Sequence, residues 1–289
     1  MKKPFEPINQ HTLPRMFLDR FTNHQGLIWR YDKVEEVFTH QPRSPKTVSR
    51  RKNAYTVMDE GGNDYKIEEY FSRIERSMAP LYKKIENSDP WDLTDEEIGH
   101  IFDHSILLML RTDRVIDIAS EIAEDPETQN DVRRKGEQFG MREVVVKNFL
   151  DKCNQEKGFA YAVAIEPLQE QRRKLFRENF DLIFSTIDHD MPLIVNDTYM
   201  CIEPISPFAG CDAQQIDWKT LNARLHFPLS SKRCLSLTPK GADRRGRHSD
   251  FMVEVRSQSL ADTKIINRTS YKLAQRYLYT SEKGALPMD

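Results

Sequence analysis

Cysteine is scarce in this sequence, with four residues among 289, at positions 153, 201, 211 and 234. None forms a C-x-x-C pair and the number is far too small for a disulfide framework. That excludes a cysteine zinc site and a small secreted staple fold, and predicts reduced thiols in or near the core. Long apolar runs are missing as well. No stretch approaches the ~18 to 20 residues that span a bilayer, so no membrane partner is expected. Met1-Lys2-Lys3-Pro4-Phe5 has two basic residues but no apolar stretch behind them, which argues against a secretory signal and predicts a cytoplasmic protein. Charge of one sign is also lacking. The 43 Lys and Arg against 45 Asp and Glu leave a formal net charge of −2, which excludes a strong long-range pull on nucleic acid or anionic membrane. There is no G-x-S-x-G, no Walker loop, no G-x-G-x-x-G and no Cys/His nucleophile spacing, which disfavours ordinary nucleotide-binding enzymes and hydrolases.

What is present is an ordinary globular composition, 38% hydrophobic and 30% charged. A chain this long buries roughly three quarters of its unfolded surface, enough for one substantial core. Pro14 suits the first turn of a short helix that presents Phe17, Leu18 and Phe21 on one side. Leu27 to Tyr31 and Ala54 to Met58 read as strands, the second followed by the turn Glu60-Gly61-Gly62-Asn63-Asp64. Ile67, Phe71, Ile74, Met78, Leu81, Tyr82 and Ile85 recur at helical spacing. Thr94-Asp95-Glu96-Glu97 is a capping box that opens an apolar helix running through Leu110 to Val115. Helical periodicity resumes over 132–150 and 167–184. Strand candidates then cluster at 193–195, 199–202, 223–227, 234–237 and 251–255, and a last helix covers 259–279. This order predicts an α+β fold, a mainly helical bundle with a small, mostly antiparallel sheet formed by later strands. We read a single domain over 1–289, helix-rich over 1–185 and strand-rich over 186–258, with a closing helix within 259–281.

Several segments together resemble an uncharacterised family of prokaryotic and fungal proteins, domain of unknown function 4238. They are His11-x-x-Pro14-x-x-x-Leu18-x-x-Phe21, Trp29-Arg30-Tyr31-Asp32-Lys33, Ile67-Glu68 with Ile74-Glu75, Leu110-Arg111-Thr112, Phe227-Pro228-Leu229-Ser230, Ile266-Asn267 and Arg276 to Ser281. The family carries no agreed activity. The chain departs from its pattern at Leu108 and Asp113, where glutamine and proline are usual, and at Val195-Asn196-Asp197-Thr198-Tyr199, where Thr-Ser-Asp-Asn-Pro is usual. Those departures fit a divergent or inactive member.

The polar residues matching the family's positions, His11, Arg111, Asp197 and Asn267, form the candidate catalytic group. Arg111 follows an apolar helix, and a desolvated guanidinium needs an anion, either an internal carboxylate such as Asp197 or Glu75 or an external phosphate. His11 beside a carboxylate would exchange a proton near neutral pH. The plainer alternative is a structural ion pair. His100 and His104 stand four apart on one helix, and Asp188-His189-Asp190 is a dense polar turn. Neither carries a zincin glutamate or an assigned third ligand, so no metal site is assigned and no cofactor is named. Asp197 and Glu203 match part of a nuclease pattern, which lacks its lysine because Ile205 stands there. Basic residues concentrate at Arg43, Lys46, Arg50, Arg51 and Lys52 and again at Arg244, Arg245 and Arg247, loops suited to a phosphate backbone or simply to solvent.

Two functions follow as expectations. The first is a nuclease-like enzyme acting on a phosphate-containing substrate, RNA or DNA. Arg111 would bind phosphate, Asp197 act as base or metal ligand, His11 move a proton and Asn267 orient the substrate. The second is a non-catalytic binding or regulatory component of a bacterial or phage conflict system, with a protein partner.

Overall fold

The computed structural model describes residues 9–52, 57–59, 62–64, 66–87, 93–155, 157–204, 223–240 and 253–286. The N-terminal part holds β1 (Asn9–His11), α1 (Arg15–Leu18), β2 (Trp29–Asp32), β3 (Val37–Phe38), β4 (Arg50–Lys52), β5 (Val57–Asp59) and β6 (Gly62–Asp64). A helical middle follows: α2 (Lys66–Asn87), α3 (Asp95–Leu110), α4 (Asp113–Glu124), α5 (Pro126–Gln138), α6 (Glu143–Gln155) and α7 (Lys157–Asn179). The remainder is β7 (Phe180–Ile187), β8 (Val195–Asn196), β9 (Cys201–Pro204), β10 (Ala223–Ser230), β11 (Arg233–Pro239), β12 (Val253–Gln258), α8 (Leu260–Leu273) and β13 (Tyr277–Thr280). The fold is α+β. A five-stranded sheet runs β12-β7-β11-β10-β9 and is antiparallel except for β12 on β7, while a four-stranded antiparallel sheet runs β3-β2-β13-β8.

The helices begin where local chemistry allows. Thr94 Oγ1 accepts the Glu97 N–H at 3.2 Å while the Glu97 carboxylate accepts the Thr94 N–H at 2.8 Å, the reciprocal cap predicted for α3. Their ends differ from the periodicity. The helix expected to run to Val115 stops at Arg111, where ψ is 15°, and Thr112 starts α4 in an extended conformation. Tyr161 Oη donates to the Leu110 carbonyl at 3.2 Å, meeting one acceptor the break would orphan. The helix expected over 132–150 is two, because Gly140 enters the left-handed region at φ +69° and ends the first.

Two helix-to-strand differences share one cause. Phe180, Leu182 and Phe184 are buried alternately, a two-residue period, so the helix expected to reach Phe184 ends at Asn179 and hands over to β7. The closing helix likewise stops at Leu273. Tyr277 to Thr280 leave it to pair with β2, so strands from early and late in the chain join in the four-stranded sheet. One apolar cluster extends from Leu13 and Phe17 through Ile101, Ile106 and Leu108 to Phe184, Phe227, Leu235 and Tyr279. Cys153, Cys201 and Cys234 are free and buried, whereas Cys211 lies outside the described residues. Among the described residues no helix is long and apolar enough to cross a membrane.

Candidate functional site

Arg111 caps the C-terminus of α3, its own N–H bonded to the Leu107 carbonyl at 2.9 Å, and only 3% of the residue is exposed. Its Nη1 donates to Glu75 Oε1 on α2, and its guanidinium carbon lies 4.3 Å from the Phe71 ring centroid. Phe71 and Glu75 are one turn apart on α2, so a ring face and a carboxylate meet the cation together. A buried guanidinium is tolerated only with such compensation. Of the two internal carboxylates that the sequence offered Arg111, the structure therefore brings Glu75.

The pair forms part of the wall of a groove of about 520 Å³. Arg15 and Asp19 from α1 and its 3-10 continuation and Ser72 and Arg76 from α2 complete the polar rim, with Pro14, Met16 and Ala79 as its apolar lining. Three guanidiniums thus face two carboxylates. Arg15 Nε lies 3.6 Å from Asp19 Oδ2, with both side chains exposed, and Arg76 Nε donates to the Ser72 carbonyl at 3.1 Å. The N-terminal segment is held at this groove by Ser49, a non-glycine residue in the left-handed region at φ +54°. Its Oγ accepts the Leu13 N–H at 2.9 Å and meets Thr12 Oγ1 at 2.8 Å. The segments Pro14, Glu75 and Arg111, far apart in sequence, therefore border one space.

His104, two turns before Arg111, is buried with Nδ1 3.1 Å from Tyr82 Oη. Burial first, and the Arg111 charge second, push its pKa down to about 3, so it is neutral at physiological pH. His100 points to solvent beside Glu96, so the two imidazoles of the H-x-x-x-H spacing face different surroundings. His189 Nε2 meets Thr263 Oγ1 at 3.1 Å and Asp188 accepts the Ser257 hydroxyl at 2.6 Å. Among the described residues no three His, Cys, Asp or Glu side chains gather as metal ligands.

Asp197 and Asn267 do not border the groove. The Asp197 carboxylate accepts the backbone N–H groups of Gln275, Arg276 and Tyr277 at 2.8 to 2.9 Å, clamping the turn between α8 and β13. Burial holds that carboxyl above the usual carboxylate range, an effect the three amides only partly offset. Asn267 is 1% exposed; its Oδ1 accepts the Ile194 N–H at 3.1 Å and its Nδ2 donates to the carbonyls of Pro192 and Ala285 at 3.0 and 3.3 Å. These bonds use the polar atoms of Asn267 within the protein. The backbone of His11 pairs with Arg50 in the β1–β4 ladder, and its side chain lies outside the described residues.

Of the basic positions, Arg43, Lys46 and Arg50 are exposed, on a bridge to Ile28, a 3-10 turn and β4. The side chains of Arg51 and Lys52, and Arg244, Arg245 and Arg247 entirely, lie outside the described residues. Sequence reasoning did not single out Arg15 or Arg76, which are ordinary surface arginines until α1 is laid beside α2. It also passed over His226 and Ser236. Their signal was alternation: Arg224-x-His226 and Ser236-x-Thr238 interleave with Leu225, Phe227, Leu235 and Leu237, which puts the polar set on one sheet face.

A family model described as Protein of unknown function (DUF4238) matches residues 9–284. No curated protein and no solved structure gives a significant match.

Proposed function

The chain belongs to the family described as Protein of unknown function (DUF4238), which brings no activity with it, and we propose that it is an enzyme acting on a phosphate-containing substrate, nucleic acid by class, seated in the Arg111 groove. The supporting observation is the convergence of Arg111, Arg15 and Arg76 on one open space of about 520 Å³. Guanidiniums present paired N–H donors that match phosphate oxygens, and they hold their charge at any physiological pH. A phosphate entering the groove takes its first contacts from the exposed Arg15 and Arg76, then competes with Glu75 for the deeper Arg111. His11, three residues before Pro14, is the proton carrier of this reading. Asp197 and Asn267 serve the scaffold in it, because their polar atoms already hold backbone groups.

Those same bonds favour a second reading, in which the groove binds phosphate without turnover, as in a regulatory component of a conflict system. One experiment separates them. Fluorescent single-stranded RNA and DNA are titrated into the full-length protein across a salt series, and the recovered oligonucleotide is checked for cleavage. Binding near 50 mM salt should weaken several-fold in Arg15→Ala and in Arg76→Ala, and each loss should lower the log-log salt slope by about 0.7 for a single strand. Cleavage supports the enzyme; binding with intact oligonucleotide supports the second reading. Absence of binding, or binding indifferent to both substitutions, rejects the groove.

A further inference from the structure

We propose that the polar face of the five-stranded sheet is a second, separate centre, in which Ser236, His226 and Glu203 hydrolyse a small uncharged carboxylic ester. The strand register builds it. His226 on β10 stands directly opposite Ser236 on β11, and Arg224, two residues earlier on the same face, stands opposite Glu203 on β9. The other face of these strands, with Leu225, Phe227, Leu235 and Leu237, belongs to the apolar core. The distances are those of hydrogen bonds: Ser236 Oγ to His226 Nδ1 is 2.8 Å, and His226 Nε2 to Glu203 Oε2 is 3.1 Å.

Proton order follows from the donors available. An ionised carboxylate only accepts, so His226 carries its proton on Nε2 and leaves Nδ1 to accept the Ser236 hydroxyl proton. Its bond to His226 holds the Glu203 carboxyl below the usual carboxylate range, which keeps that group ionised at neutral pH. Nucleophile, base and orienting carboxylate are thus connected in series, a relation recognised by geometry and role rather than by a sequence motif. His226 and Ser236 are each 6% exposed, and a hydroxyl shielded from bulk water beside a base is suited to attack.

The triad also opens onto space for a small guest. The three residues border a cavity of about 120 Å³. Thr238 and Gln258 border it too, at 3% and 7% exposed, and Thr238 Oγ1 and Gln258 Oε1 have no hydrogen-bond partner among the described residues. Both of those atoms are sealed from the cavity, which Thr238 and Gln258 line with their other atoms. Arg224 lies on the cavity wall 3.8 Å from Glu203, and Arg256 and Asp262 line the same cavity, so its charges are balanced and suit an uncharged ester.

The reaction balances with water as the only co-reactant. Ser236 Oγ forms a bond to the ester carbon as its proton passes to His226 Nδ1. The C–O bond to the alcohol breaks, and the alcohol leaves with that proton. Water then attacks the acyl-serine, gives a proton to His226 and releases the acid as the serine recovers its hydrogen.

The test uses the full-length protein and diisopropyl fluorophosphate, which loses fluoride as a serine oxygen bonds to phosphorus. Intact-mass and peptide analysis should find one adduct per chain, on Ser236. Wild type should also release p-nitrophenol from p-nitrophenyl acetate with a burst. Ser236→Ala should lose the adduct and the burst, and His226→Gln should form the adduct at least 100-fold more slowly, in variants whose circular dichroism matches wild type. No adduct on Ser236 of folded wild type overturns the proposal without any variant, as does unchanged labelling in His226→Gln. Neither result bears on phosphate binding in the Arg111 groove.

Discussion

Arg111 and Phe71 are stacked, the guanidinium carbon 4.3 Å from the ring centroid, while the same cation reaches Glu75 one turn along α2. A helix end and a helix face are thereby tied through one side chain. The same residue is where α3 ends. Its backbone turns at ψ 15°, and Thr112 begins a new helix from an extended conformation.

Removing the cation's partner should be costly. Glu75→Ala leaves a guanidinium at 3% exposure without that carboxylate, and we expect a loss of about 3 kcal/mol in urea unfolding. Glu75→Ala with Arg111→Met should recover at least half of this. A double variant no more stable than Glu75→Ala would show that the loss does not come from a stranded Arg111 charge.

His104 makes stability depend on pH. Its folded pKa, about 3, lies below the 6.5 of the unfolded side chain, so between those values the unfolded state holds more protons. The stabilisation is complete above pH 6.5 and falls as pH drops toward 3, by about 2 kcal/mol between pH 7 and pH 5 for this one group. His104→Gln should flatten that part of the profile in denaturation midpoints measured over the same range. An unchanged slope would place the dependence on other groups.

Asp197 and Asn267 should behave as structural clamps. Asn267→Ala strands the Ile194 N–H and two carbonyls, and Asp197→Ala strands three N–H groups at the α8–β13 turn. Losses of about 2 to 4 kcal/mol are expected for each. Hydrogen exchange should accelerate first in residues 277–280. Activity lost with full stability retained would instead return these residues to the chemistry.

The capping box of α3 offers a smaller, local test. Thr94→Ala removes the acceptor of the Glu97 N–H and should cost about 1 kcal/mol. Thr94→Ser, which keeps the hydroxyl, should stay within about 0.5 kcal/mol of wild type in the same assay.

What could be read along the chain was whatever depends on neighbours within a few residues. The capping box, the amphipathic α2, the apolar α3 and the strand-rich later half all follow from side-chain period and backbone preference. Boundaries were less legible where two periods overlap, as at Phe180 to Phe184, because a strand's pairing partner is distant and leaves no local mark. The Arg111 requirement for an anion was legible, since burial of charge dictates it. Which carboxylate answers it was not.

Local chemistry, then, determined the α+β composition, the helix starts and the need for a buried counter-charge. Only the tertiary structure decided that Glu75 meets Arg111, that Asp197 and Asn267 hold backbone groups, and that His226 stands between Ser236 and Glu203. The reason is range: helix periods and caps act over one to a few turns, whereas strand register and helix packing join residues tens to hundreds of positions apart, through contacts that exist only once the core has closed.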